Sequence, residues 1–284
     1  MRRRSAKNLR VAAVAAVCIS LGTLTACGSD GDPLSTIRGS TATATGSGTA
    51  SPTPTSDDEV SNEELSVSEL VRRAKQASAA IKTVHVVADV ASEGKRFKLD
   101  LRIDRDTEDF EGTIAQDDIE LDTRRIGNDM YVRGDESAYR SLLGEQGDTI
   151  MPGLLAGKWL KDAADGANFR SLKSLTAVAD PGAILEDFPE DGVKLPIENI
   201  DGREMIPLTG PPGDDGGKVY IEAQGGKPYP VMVISEDADS GGTISYGDFD
   251  APVDVEPPSP GDVITVPKKG GSSSTNTPRP GTTA

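Results

Sequence analysis

The chain has 284 residues, with 46 acids against 30 Lys and Arg, a net charge of −16 and only 4% aromatic residues. A surface this acidic repels phosphate backbones and anionic lipid head groups, which argues against nucleic-acid binding and against direct adsorption to a membrane. His85 is the single histidine, which removes the usual zinc patterns, and the only cysteines are Cys18 and Cys27.

Residues 1–10 hold five cations and no acid, and 11–24 are an apolar stretch rich in Ala, Val and Leu. A basic run followed by a short apolar run is the pattern of a secretory signal. The stretch falls short of the about 20 apolar residues that a membrane span needs. It ends in Leu24-Thr25-Ala26-Cys27-Gly28, which resembles the lipobox of bacterial lipoproteins. In that motif the cysteine thiol takes a diacylglyceryl group, and small residues before it admit the signal peptidase. The expectation is cleavage after Ala26 and a lipid on Cys27, so that the mature protein is anchored to the cell membrane on its extracytoplasmic face. Removing five cations (Arg2, Arg3, Arg4, Lys7 and Arg10) and no acid takes the net charge from −16 to −21. Cys18 leaves with the signal, so no intramolecular disulfide can form and burial alone must hold the fold.

Composition then divides the mature chain. Residues 27–62 comprise Cys27 and a stretch of Gly, Ser, Thr, Ala, Pro and Asp with little to bury, and read as a flexible tether. As a random coil of about 33 residues it spans roughly 30 Å. Residues 63–267 carry the periodic apolar patterns of one domain. Residues 268–284, with a Gly-Ser run, read as a disordered tail.

The domain opens on a predicted helix. Ser66 and Glu69 fit a capping box, and Leu70, Ala74, Ala77 and Ile81 make an apolar stripe. Strands follow. Val84, Val86, Ala88 and Val90 alternate with other residues, and 96–104 alternates apolar and charged side chains throughout. That pattern means a sheet with one wet and one buried face. Phe110 to Ile114, Ile119 with Leu121, and Met130 with Val132 extend the series. Helical patterns come next at 137–143, at 153–156 and at 180–188, the last with Asp180 before Pro181. Strands return at 193–200, 204–208, 218–223, 230–235 and 243–249, and Asp201-Gly202 marks a two-residue hairpin. The fold class expected is α+β: a curved antiparallel sheet of about ten strands whose apolar face is covered by helices.

Several segments resemble one family. A polar linker follows the lipobox, and a first helix runs into the strand Lys82-Thr83-Val84-His85-Val86. Ile126-Gly127-Asn128-Asp129-Met130-Tyr131-Val132 has a polar turn before a strand with a central Tyr. Trp159 follows Gly157-Lys158. Lys227-Pro228-Tyr229-Pro230-Val231 leads to Ile244-Ser245-Tyr246-Gly247-Asp248-Phe249 and then Pro252-Val253. Over residues 63–267 the chain resembles the LppX/LprA/LprF/LprG-type actinobacterial lipoproteins of the LolA-like superfamily. The resemblance implies a half-barrel sheet closed by helices around an apolar cavity for lipid chains. It also implies a lipid or lipoglycan ligand, and some relatives carry such ligands toward the outer envelope. The acidic stretch Pro211-Pro212-Gly213-Asp214-Asp215-Gly216 departs from the family pattern.

The candidate ligand-binding residues are the apolar strand rows: Val86, Val90, Phe97, Leu99, Leu101, Ile103, Ile119, Leu121, Met130 and Val132. They are core in any arrangement, and they also line a cavity if the sheet and helices leave a gap. His85 sits opposite the apolar row and is expected at solvent or an edge. Asp117-Asp118, Asp214-Asp215 and Asp237-Ala238-Asp239 lack EF-hand spacing and read as turn or solvating residues. No nucleophile–base pair and no phosphate loop stand out, so no catalytic residue, metal or cofactor is expected. Two functions compete. One is a monomeric lipid-binding or lipid-carrying envelope protein. The other is an envelope scaffold with a filled core and a specific exposed patch.

Overall fold

The computed structural model describes residues 61–92, 94–143, 152–163, 169, 172, 174–212, 217–224, 226–237 and 241–265. The expected signal peptide, lipidated Cys27, linker up to residue 60 and C-terminal tail lie outside these residues. The linker expected to run to residue 62 gives way to folded structure before that, since Asn62 is buried in a 3-10 turn (Asn62–Glu64) and donates to the Glu222 carbonyl at 3.0 Å.

Helix α1 (Val67–Ala79) starts where the sequence places it, since the Ser66 hydroxyl accepts a hydrogen bond from the Glu69 N–H at 3.3 Å. Only this half of the capping box is seen among the described contacts. The Glu69 carboxylate turns outward and takes Arg72 and Arg73, each at 2.7 Å. These two guanidiniums lower the Glu69 pKa from 4.5 to about 2. A carboxylate held down this way contributes stability that is present above its ordinary range and is lost as pH falls toward 2. Glu69→Gln should therefore flatten the acid limb between pH 4.5 and 2 when helix content is followed by circular dichroism. An unchanged limb would mean that the pairs do not form in solution. Leu70 and Ala74 on the opposite side of α1 are fully buried. Just past the helix C-terminus, Arg105 donates to the Ser78 carbonyl at 2.6 Å, which also accepts from the Ile81 N–H, and to the Ile81 carbonyl at 3.0 Å, tying the end of α1 to the turn after Asp104.

Five strands follow as a meander: β1 (Thr83–Ser92), β2 (Lys95–Asp104), β3 (Phe110–Gln116), β4 (Ile119–Ile126) and β5 (Asp129–Gly134). Tight turns join the later ones. Asp117 at the β3–β4 turn has φ 53° and accepts from the Arg96 N–H at 3.0 Å, which is the turn role expected for Asp117-Asp118. Helices α2 (Glu136–Leu143) and α3 (Pro152–Leu155) precede β6 (Trp159–Ala163). Tyr139 of α2 is fully buried, and its hydroxyl donates to the Val132 carbonyl at 2.9 Å, with the Lys158 carbonyl also in reach. Burial pushes its pKa to about 12.

The second half supplies β7 (Val193–Lys194), β8 (Glu198–Ile200), β9 (Arg203–Thr209), β10 (Lys218–Glu222), β11 (Pro230–Ser235), β12 (Gly242–Gly247) and β13 (Val263–Thr265). Asp201 and Gly202 both have positive φ, 51° and 82°, as the predicted hairpin requires. β12 returns to pair with β1, so the two meanders form one sheet in the order β13-β6-β5-β4-β3-β2-β1-β12-β11-β10-β9-β7, with β8 on β9. The order is open at both ends.

Four expectations change. The described residues form thirteen strands instead of about ten. Pro196 cannot donate to a ladder, and the strand expected at 193–200 breaks into β7 and β8 around it. The helix expected at 180–188 is reduced to a single 3-10 turn at Ala183–Leu185, because the Asp180 carboxylate caps Gly182 at 2.9 Å without a helical ladder behind it. Finally, the sheet is not wholly antiparallel, since β13 pairs with β6 in parallel. The approach to β13 explains this. After β12, the Ala251 carbonyl accepts from the Thr83 hydroxyl at 2.5 Å, the Glu256 carbonyl from Arg124 at 2.8 Å, and Asp262 from Lys158 at 2.7 Å. The chain thus crosses the polar face of the sheet as a strap from β1 to β6 and arrives in the direction of β6. Beneath it, Trp159 is buried, with the guanidiniums of Arg124 and Arg133 at 5.1 and 4.7 Å from its ring.

Candidate functional site

Directly paired residues of an antiparallel sheet share a face. The register therefore assembles the inner face row by row. Ile103, Phe110, Arg125 and Met130 lie across β2 to β5 in the first row. Tyr246, Val86, Leu101, Gly112, Thr123 and Val132 form the second. Ile244, Ala88, Leu99, Ile114 and Leu121 form the third. Val90, Phe97, Gln116 and Ile119 form the fourth.

All ten candidate residues fall on this one face. The rows are not equally covered. Val86, Leu101, Ile103, Met130 and Val132 are fully buried, and Leu121 and Phe97 nearly so. Leu70 and Ala74 of α1, Tyr139 and Leu143 of α2, and Leu185 belong to the same core as these rows. Val90, Leu99 and Ile119, at the fourth-row end, are only half-buried. Phe97 lies between Val90 and Gln116, so this end of the face is an apolar margin with partial access to solvent.

The inner face also carries polar groups absent from the candidate set. Among the described residues, Gln116 Oε1, Arg125 Nη1 and Tyr246 Oη are buried without a hydrogen-bond partner, as is Ser78 Oγ on α1. The rest of the Arg125 guanidinium is satisfied, by the Gly127 carbonyl at 3.1 Å and Glu108 at 2.6 Å. Burial pushes the Tyr246 hydroxyl well above the ordinary tyrosine range, and the nearby Asp180 carboxylate adds to this. Leaving such a group unpaired costs about 1–3 kcal/mol. Gln116 was legible in part, since it continues the odd–even alternation of Phe110 to Ile114. Tyr246 follows the parity of Ile244, whereas Arg125 breaks the expected polarity of its strand, and only the register places it inside.

His85 lies on the opposite face, as expected, but it is not simply exposed. Its Nε2 is 2.7 Å from Asp100, and its Nδ1 is 3.3 Å from Asp248. This contact ties β1 to β2 and to the end of β12. Among the described residues, no three His, Cys, Asp or Glu side chains are grouped to hold a metal ion. No helix among them is long and apolar enough to cross a membrane.

These features define a mostly-sheet α+β domain whose inner sheet face is apolar, buried over its first two rows and half-open at Leu99 and the fourth row. The opposite face carries a smaller apolar cluster of Met205, Tyr220 and Val231. No protein-family model and no curated protein matches the sequence. Among solved structures the chain is similar to LprF from Mycobacterium bovis, with 14% identity over 67% of this chain and 95% of that one, at a TM-score of 0.44. It is similar also to the lipoprotein LppX from Mycobacterium tuberculosis, with 17% identity over 67% and 100% of the two chains, at a TM-score of 0.43. A putative outer membrane lipoprotein-sorting protein domain from Vibrio parahaemolyticus shares 8% identity over 66% and 95%, at a TM-score of 0.22. LprF and LppX bear names of the group that the sequence resembles.

Proposed function

We propose that the mature chain is a lipoprotein, anchored by Cys27 on the extracytoplasmic face of the cell membrane, whose domain binds or carries a lipid-like ligand against the inner face of its sheet. In this reading the sheet curls as a half-barrel, and acyl chains lie between it and the helices. One observation carries the proposal: the apolar inner face ends in half-buried Val90, Leu99 and Ile119 around Phe97. Apolar surface left to water forgoes about 25 cal/mol per Å² of burial, and a ligand chain would recover it. The ligand is a lipid or lipoglycan, the protein acts as a monomer, and no step of the reading needs catalysis.

The test uses the mature chain carrying Cys27→Ala, titrated with a fluorescent fatty acyl probe. Leu99→Trp is the discriminating variant. Because Leu99 is half-buried, the larger ring should cost less than the about 1–3 kcal/mol of an overpacked core. The variant should fold and bind the probe at least about tenfold more weakly, a loss of about 1.4 kcal/mol. If wild type takes up no probe, or if uptake survives the substitution unchanged, the envelope scaffold becomes the better reading.

A further inference from the structure

The polar atom at the half-open margin specifies more than the apolar side chains around it. Gln116 is 8% exposed, and its Oε1 has no partner among the described residues. On the inner face it is paired with Phe97 on β2 and Ile119 on β4, and Val90 follows beyond Phe97. An amide oxygen can only accept. Buried beside aliphatic and aromatic neighbours, it destabilises the empty domain unless something brings a donor to it. A second inner position of the same strand, Ile114, is apolar and buried, so β3 can hold a hydrocarbon side chain on this face. A leucine at 116 would pack there without the cost.

We propose that Gln116 is the head-group recognition residue of the lipid site, and that its Oε1 accepts a hydrogen bond from a hydroxyl of an amphiphile whose chain lies along the inner rows. This rests on the lipid-binding reading and deepens it to a ligand class: a neutral, hydroxyl-bearing head group such as glycerol. A hydroxyl supplies the donor that Oε1 needs, and its lone pairs can meet the amide Nε2 beside it. An ionised fatty carboxylate serves less well, because it has no donor: it can accept from the amide Nε2 but leaves Oε1 unpaired. The fourth row places this contact at the margin of the face. The head group therefore stays near solvent while the chain runs toward Leu101 and Val132, which are fully buried.

The experiment compares two probes of equal chain length, a monoacylglycerol and the matching fatty acid at neutral pH, binding to the mature Cys27→Ala chain and to the same chain with Gln116→Leu. Wild type should prefer the monoacylglycerol by at least about tenfold, or about 1.4 kcal/mol. Gln116→Leu should abolish that preference and leave fatty-acid binding within about twofold, a difference of less than half a kcal/mol. The same substitution should raise the Tm of the empty domain by about 2–4 °C, since it removes an unsatisfied buried polar atom. A purely structural glutamine would do the reverse, with Tm falling and both probes weakening together. Retained preference in Gln116→Leu, or equal loss for both probes, overturns the assignment while lipid binding stands. Binding of neither probe by wild type removes the lipid-binding reading itself, and the assignment with it.

Discussion

If Cys27 carries the proposed lipid, Cys27→Ala should release the protein from the membrane. With the proposed signal removed, the chain would carry a net charge of −21, so its surface would add no attraction to anionic lipid. In the proposed reading the diacylglyceryl group is then the whole of the anchor. A single acyl chain gives only marginal, reversible attachment, whereas two chains hold stably. The change should accordingly be close to complete. Fractionation of cells expressing the variant should move nearly all of the protein out of the membrane pellet. Metabolic labelling with a fatty-acid probe should fall to background. Labelling that persists in the variant would place the lipid elsewhere and end the lipobox reading. The folded domain should not notice the substitution, because the polar composition of residues 28–60 leaves little to bury. Equal melting curves for the two purified proteins would confirm that only the anchor was removed.

Gly112→Ala unfolds the centre of the sheet. Gly112 has φ 148°, a conformation that L side chains rarely adopt, and it sits on the inner face opposite Leu101 and Thr123. A Cβ built there lies 1.9 Å from the Asp100 carbonyl oxygen and 2.9 Å from the Leu101 Cα. Both neighbours are backbone, so no rotamer change relieves the clash. Either β3 gives up its φ or β2 and β3 move apart, and fully buried Leu101 goes with them. Backbone strain of this kind costs about 1–3 kcal/mol even before contacts are lost. The total should exceed about 3 kcal/mol, a large share of the about 5–15 kcal/mol that stabilises an ordinary domain. Urea titration should show the midpoint falling sharply. Gly127→Ala serves as the control: Gly127 also has positive φ, 57°, but a Cβ there meets nothing within 4 Å. Only the strain remains, and its cost should be about 1 kcal/mol. Equal effects at the two positions would mean that the β2–β3 approach is looser than described.

What could be read from the residues alone was local. The Ser66 hydroxyl caps α1 because a serine ahead of an apolar stripe has one free N–H within reach. Asp201-Gly202 makes its hairpin because those two residues tolerate positive φ. The alternation along 96–104 fixes which side chains of β2 face inward, and a period of two allows no other assignment once one face is buried. The ten candidate side chains share a face for that reason. The strand count was less legible. β7, β8 and β13 are two or three residues long, too short for any alternation to register.

The tertiary structure decided the rest, because it depends on residues far apart in the chain. The pairing of β1 with β12 joins segments that sequence periodicity cannot relate, and it brings Tyr246 beside Val86. The strap across the polar face rests on Thr83, Arg124 and Lys158, each meeting a residue more than a hundred positions away. The uneven cover of the inner face follows from where α1, α2 and the 3-10 turns dock over it, so Leu101 is sealed while Leu99, on the same strand and the same face, is not. Gln116 belongs to both accounts. Its strand and parity are local facts, set by the chain's two-residue period. Its burial without a partner is a property of the packed sheet, since an amide becomes costly only when its neighbours shut out water and offer it no hydrogen bond.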